Sequence, residues 1–469
     1  MGQIELTDVS RPFYGDLMIS KDGYVGNVLL LVIGAMLPVF GDDWPHYLGP
    51  EYDLTWREEG IVETFPESGL PVVWSTKIGA GYGGPSVADG KVFVMDREAE
   101  ASSKKVEGNP NFFRVEIPGN ERVVCLRESD GEILWKHEWP CQYTTAVPYA
   151  NGPRCTPTLN GSRVYAQGAE GNLWCFEAAT GNVVWSKDFK KDYGLETPTW
   201  GWSAHPLVDG DQLICIVGGE GTAVVAYDKA TGAERWRSLT SKEPGYCPPV
   251  IQEYGGKRRL FVWHGEAVVS LDPSNGKPHW SVPYKATYGM AIGAPQLAGD
   301  SLFIMCFHGK SAMLSIDPDS TSAKIVWEGD FKRGLGGVMN TPFIEDGHVY
   351  GCGRRGTYRC IDLTSGERLW STTDPALALK DRDKKPSGWA NVFTVRHAPT
   401  ERCFLANDLG ELILARLSSE GYEEIDRAQL IQPDQPVGKD MLVWSHPAFA
   451  NKRIYCRNDR EIRCLSMAK

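Results

Sequence analysis

Six times along this chain a tryptophan closes the same short phrase, and five of the copies carry glycine four positions before it. The copies are LRESDGEILW ending at Trp135, FEAATGNVVW at Trp185, YDKATGAERW at Trp236, LDPSNGKPHW at Trp280 and IDLTSGERLW at Trp370. A stretched copy, IDPDSTSAKIVW, ends at Trp327. Successive tryptophans lie 50, 51, 44, 47 and 43 residues apart. A period of that size marks a chain built from one supersecondary unit that buries its apolar face only against its neighbours.

Each unit reads as four short strands. In HPLVDGDQLICIVGGEGTAVVAYDKATGAERW (205–236) a first apolar run ends at an Asp-Gly turn, and QLICIV and TAVVAYD flank Gly-Gly-Glu-Gly. The tryptophan strand then follows the Ala-Thr-Gly turn, so the unit is a chain of hairpins. A parallel leucine-rich solenoid would use only about 20–29 residues per unit and no hairpins. First-strand signals recur eight times: Gly84-Pro85, Cys155-Thr156-Pro157, His205-Pro206, Pro248-Pro249, Ala294-Pro295, Thr341-Pro342, the run near Asn391, and His446-Pro447. The seventh unit has LARLSSEGYEEI in place of the tryptophan phrase, and the eighth stops after a third strand in RIYCRNDREIRCLSM. A donor for its missing strand lies upstream, LPVVWSTKI at 70–78, with Trp74.

The expectation is therefore all-β: an eight-bladed β-propeller of four-stranded antiparallel blades over residues 70–469, its ring closed by an N-terminal strand. Residues 42–69 are expected to pack on it as an extension. Trp74, Trp135, Trp185, Trp236, Trp280, Trp327 and Trp370 are expected to dock between blades as packing groups.

The net charge of −11 excludes a nucleic-acid partner, which needs a basic surface. The one strongly apolar stretch, VLLLVIGAMLPVF at 28–40, is 13 residues, shorter than the ~20 a membrane span needs. It fits the core of a secretory signal within 1–41, with Met18 as an alternative start. Export to the periplasm or outside the cell is the expectation; an uncleaved anchor at 24–40 is the alternative, and the only membrane contact foreseen. None of the 12 cysteines forms C-x-x-C, so zinc-ribbon, thioredoxin and haem-attachment sites are unsupported. Cys125, Cys175, Cys360 and Cys464 share one repeat position and read as small buried hydrophobes. The eight-residue spacing of Cys352/Cys360 and Cys456/Cys464 leaves cross-strand disulfides as the other reading.

The phrase D-x-x-T-G-x-x-x-W resembles the repeat of pyrroloquinoline-quinone-type propellers, which include quinoprotein alcohol dehydrogenases and the outer-membrane assembly scaffold BamB. The resemblance covers residues 70–469 and implies eight blades, shared by catalytic and non-catalytic members. The chain departs from quinoprotein methanol dehydrogenases in having no adjacent cysteines. It departs from the BamB class in having no cysteine between residues 1 and 124.

Residues leading into the inner strands should ring the channel mouth: Tyr82, Arg154, Trp200, Trp202, His205, Tyr246, Asn340, Trp389, Asn391, Trp444 and His446. T-W-G-W at 199–202 is similar to the quinoprotein segment that floors the quinone, which implies Trp202, or Trp200, as a stacking residue. No metal site is expected, and no catalytic residue can be named. The expected function is an exported, monomeric, non-catalytic scaffold binding a protein, peptide or glycan at its loop-rich face, to which the long loop at 97–122 contributes. The alternative is an alcohol or sugar dehydrogenase dependent on pyrroloquinoline quinone and calcium, with Arg154 as the cationic aid.

Overall fold

The computed structural model describes residues 42–99, 113–114, 116–144, 146–147, 152–319, 321–337, 339–437 and 440–469; the leader expected at 1–41 lies outside them. Eight antiparallel sheets follow one another along the chain. Their inner strands are Ser86–Ala88, Thr158–Asn160, Leu207–Asp209, Val250–Tyr254, Gln296–Ala298, Phe343–Glu345, Val392–His397 and Ala448–Ala450. Blades are numbered here in that order. In the eighth, Val72–Lys77 pairs antiparallel with Glu461–Ser466, with Trp74 opposite Cys464. The seventh has a fifth strand: Thr55–Trp56 lies parallel to Val392–His397.

The tryptophan phrase works through three local devices. The first is a β-bulge. Cys125 faces Trp135 and Leu126 faces Ile133, which leaves Leu134 unmatched. The same step precedes Trp185, Trp236, Trp280, Trp327, Trp370 and Trp74. A bulge increases local twist and re-aims the next side chain, here turning the indole toward the neighbouring sheet. Among the skipped residues Val73, Leu134, Val326 and Leu369 are exposed apolar side chains, while Val184 is partly buried.

The second device is the glycine. Gly131, Gly181, Gly232, Gly276 and Gly366 have φ between 70° and 74° and lie against the tryptophan of the preceding blade. A methyl group added to Gly181 would sit 2.6 Å from the Trp135 ring, and one on Gly131 would sit 2.5 Å from Trp74. The third is an acceptor three residues before that glycine. Trp74 Nε1 donates to Glu128 O (2.8 Å), Trp135 to Ala178 O (3.0 Å), Trp185 to Lys229 O (3.1 Å) and Trp327 to Leu363 O (2.9 Å). The seventh unit has lost its tryptophan but keeps the acceptor, Ser418 O, for Trp370 (2.7 Å).

Two seams deviate. At the third and fourth blades Gln212 relays the bond: Trp236 Nε1 donates to Gln212 Oε1 (3.0 Å), and Gln212 Nε2 donates to Pro273 O (2.7 Å). Trp280 meets the stretched copy, which lacks the glycine, and its buried indole N–H has no acceptor. Where the seventh blade lacks tryptophan, the N-terminal extension covers the seam. Val62 N donates to Met467 O (2.8 Å) and Phe65 N to Asp426 Oδ2 (2.5 Å), beside half-buried Ile425.

All 12 cysteines are buried and free. Cys352 lies opposite Tyr358 and Cys360 opposite Tyr350, and Cys456 and Cys464 are likewise staggered, so neither pair is a direct cross-strand pair. The residues opposite the tryptophans are Cys125, Cys175, Ala226, Ser270, Met313, Cys360 and Cys464. Most are small, as an indole on the facing strand requires. The ends of the expected loop at 97–122 are strand, Lys91–Ala99 pairing with Gly119–Arg127 through Ala99 and Gly119; residues 100–112 and 115 lie outside the described residues.

The seam makes a stability prediction. Gly181→Ala combines a left-handed backbone with a clash into the Trp135 ring, and is expected to cost about 2–5 kcal/mol. Gly161→Ala has a similar φ of 55° but open space around it, so about 1–2 kcal/mol is expected. Urea denaturation of both variants measures the difference. Equal losses would mean that the glycine serves only the turn.

Candidate functional site

The channel opens, on the face where the inter-blade connectors arrive, as a cup of about 360 Å³. Its floor comes from the N-terminal extension. Trp44 and Val87 exchange backbone hydrogen bonds (2.8 Å each), Pro45 O accepts from Leu159 N (2.9 Å), and Leu54 O accepts from Arg396 N (2.8 Å). The segment thus crosses from the first and second blades to the seventh. Tyr47 lies between: its ring stacks on His205 (centroids 4.1 Å, 5°) and meets His446 edge-on (4.6 Å).

The two histidines are held by one threonine. Thr156 N donates to His205 Nδ1 (3.0 Å), and Thr156 Oγ1 lies 2.9 Å from His446 Nε2. Burial holds the His446 imidazole down at about 3. It also depresses His205 well below its ordinary value, with the neighbouring His446 adding to the effect. Both rings are therefore neutral at physiological pH and pack as aromatic floor.

The walls are aromatic. Trp200 N donates to Tyr246 Oη (3.2 Å), while the Trp200 indole N–H donates to Tyr288 O (3.3 Å). Behind this wall Glu243 accepts from Thr199 Oγ1 (2.9 Å) and from Tyr246 Oη (3.4 Å). Phe307 stacks on Trp389 across the cup (5.9 Å, 10°), and the Arg154 guanidinium lies 5.3 Å from the Tyr82 ring centre. The cup is thus a pocket for flat or apolar groups, with guanidinium groups from Arg154 and Arg354 as its charged lining.

Of the residues expected at the mouth, Tyr82, Arg154, Trp200, His205, Tyr246, Trp389, Trp444 and His446 line the cup. Three do not. Trp202 is a core residue, 2% exposed, whose indole donates to Val217 O (2.7 Å) and packs against Phe189. Gly201, at φ 75°, turns the chain between the two tryptophans, sending Trp200 to the cup and Trp202 inward. Asn340 and Asn391 are buried partners: Asn340 Nδ2 donates to Asn391 Oδ1 (2.8 Å) and to Cys352 O (2.9 Å). Lining residues that sequence reasoning missed include Tyr47, Tyr288, Phe307, His308 and Arg354. The last four sit in T-Y-G, F-H-G and R-R-G, which share only their closing glycine and so carry no turn signal of the Asn-Gly kind.

Calcium takes oxygen ligands, and quinone-dependent alcohol oxidation needs a carboxylate to accept the alcohol proton. Among the described residues the cup lining holds no Asp or Glu, and no group of three or more His, Cys, Asp or Glu is placed to hold a metal ion. The residues present do not fit that pair of groups. No helix among the described residues is long and apolar enough to cross a membrane.

The floor predicts a pH dependence. His446 has a folded-state pKa near 3, below the ~6.5 of an unfolded histidine, so the unfolded chain binds the proton first. Its contribution is fully present above pH ~6.5 and is lost progressively as pH falls from there toward about 3. Thermal denaturation at stepped pH should show this decline, and His446→Gln should flatten it. A parallel decline in the variant would place the proton uptake elsewhere.

The family profile described as outer membrane protein assembly factor BamB matches residues 119–372. BamB of Burkholderia pseudomallei is 29% identical over 191 residues, 40% of this chain and 45% of that protein. The quinohemoprotein alcohol dehydrogenase ADH-IIG of Pseudomonas putida is 26% identical over 256 residues, 50% of this chain and 32% of that protein. The chain therefore spans less than half the length of these two relatives. In structure, the quinohemoprotein alcohol dehydrogenase of Comamonas testosteroni superposes with a TM-score of 0.60 at 14% identity, over 91% of this chain and 81% of that one. With the matched segment exceeding half of its 469 residues, the chain belongs to the pyrroloquinoline-quinone-type propeller family described under BamB.

Proposed function

We propose that this propeller is a non-catalytic binding protein that uses the aromatic cup and its surrounding loops to hold a protein, peptide or glycan segment. The observation that carries this reading is the composition of the cup: aromatic walls, a floor of neutral histidines, arginine as its charge and, among the described residues, no carboxylate in the lining. A binding site tolerates that arrangement, whereas alcohol oxidation would find neither its base nor its calcium ligands among the described residues of the cup. The name of the BamB relatives, outer membrane protein assembly factor, favours a protein as the occupant. Tyr82, Arg154, Trp200, Tyr246, Trp389 and Trp444 are the residues of the cup that would contact it.

The test is direct. Purified protein with pyrroloquinoline quinone and calcium, offered primary alcohols and sugars with a redox dye, is expected to reduce no dye above the protein-free control. Quinone-dependent turnover would overturn the reading. Export is proposed from the apolar stretch at 28–40. Replacing its leucines with serine should shift the full-length chain into the cytoplasmic fraction of its host; an unchanged distribution would remove that role.

A further inference from the structure

Three loops in successive blades break the usual rule for tight turns in the same way. Tyr288-Gly289 has φ values of 57° and 69°, His308-Gly309 of 72° and 80°, and Arg355-Gly356 of 59° and 64°. The first loop joins the fourth blade to the fifth; the others join second to third strands in the fifth and sixth blades. Turns with both central residues left-handed favour Asn or Gly at the first position, because a larger side chain is strained there. Here the first position holds Tyr288 and His308, which line the cup, and exposed Arg355, which follows the lining residue Arg354. Backbone strain retained at a loop tip that presents a large side chain points to a use for that side chain.

These loops join into one surface. The His308 ring meets Phe307 (5.4 Å), Tyr288 (6.3 Å) and Phe331 (5.3 Å), and the Arg354 guanidinium lies 5.3 Å from the Phe331 ring centre. Tyr288 is 53% exposed and Phe331 48%, so the aromatic wall continues out of the cup on this side. Its charge is also one-sided. The chain carries a net −11, and acidic Glu196, Glu220 and Asp434 lie in loops of the opposite arc, while Glu243 lies against Gly289 at one end of the lip. The arc beyond the lip presents Lys332, Arg354, Arg355, Lys380 and Lys385, cations that outnumber Glu266, Asp330, Asp374 and Asp383 in the same loops. In the same arc Lys384 pairs with Asp381 (2.7 Å) and Arg382 with Glu424 (2.6 Å), which neutralises those cations internally.

We infer that this lip, on the fourth to sixth blades, docks an acidic peptide segment whose bulky apolar side chain enters the cup; the inference rests on the binding function proposed above. The apolar group fits a cup of about 360 Å³ walled by Trp200, Phe307 and Trp389. Flanking carboxylates then meet the guanidinium and ammonium groups of the lip. A short acidic segment suits a basic arc on an acidic body, whereas an extended polyanion would also meet the acidic arc.

The experiment is calorimetric titration of the full chain with acetylated, amidated heptapeptides, each with a central tryptophan flanked by glutamates, by lysines or by serines. The glutamate peptide is expected to bind at least about tenfold more tightly than the serine peptide, with affinity falling as salt rises. Arg355→Gly removes the charge and relieves the turn, so it should keep or raise Tm while weakening the glutamate peptide about tenfold. Lys332→Ser is a second exposed variant expected to act in the same direction, and Glu220→Ser, on the opposite arc, should not weaken binding. Equal binding of glutamate and serine peptides, lost in Trp389→Ala, would overturn the acidic preference while leaving the cup as a binding site. Preference for the lysine peptide would overturn the inference as well. No binding of any peptide up to about 1 mM would overturn both the inference and the peptide-binding reading beneath it.

Discussion

The fold depends on one contact repeated around the ring: an indole lying on the glycine of the next blade. Each phrase divides its labour. Its tryptophan reaches forward to the following blade, and its glycine and upstream carbonyl receive the indole of the preceding one. A unit built this way cannot satisfy its own tryptophan. It needs a neighbour on each side, so a row of such units is stable only when its ends meet. Trp74, from the N-terminal strand, lies on Gly131 of the first blade as the other indoles lie on theirs.

The N-terminal extension supplies what the repeats do not. It covers the seam where the seventh unit lacks tryptophan, adds a strand to that blade, and runs beneath the channel. That last course gives the mouth a floor. Tyr47 excludes water from His205 and His446, and desolvation keeps both rings uncharged. The cationic character of the cup therefore comes from its wall and lip, where Arg154 and Arg354 sit, and its floor is an apolar stop.

What could be read from the sequence follows from periodicity. The repeating phrase carried the period and the docking tryptophans, and the first-strand signals the blade count, because packing between like units forces residue type at fixed spacing. The cup was only partly legible. Position before an inner strand located eight lining residues, but it could not say which way a side chain turns. Trp200 and Trp202 differ because one glycine with positive φ stands between them, and Asn340 and Asn391 turn inward because each is a partner for the other. Tyr47 was hidden for another reason: it lies in no repeat, and its place under the channel is set by backbone hydrogen bonds to distant blades. The strained loops violate the turn rule a reader would apply, so T-Y-G, F-H-G and R-R-G do not advertise a tight turn as Asn-Gly does.

Some departures from regularity fall together between the fourth and sixth blades. Trp280 alone among the docking indoles meets a unit without glycine and leaves its buried N–H without an acceptor, and it closes the fourth blade. The connector that follows carries Tyr288, the first of the strained residues, and the fifth and sixth blades carry the other two. An unsatisfied buried donor and a non-glycine residue in a left-handed turn each oppose folding. Their placement side by side brings both costs into neighbouring blades. Local rules usually give way where a surface must present particular side chains, and Tyr288, His308 and Arg355 are three such positions along one arc of the cup.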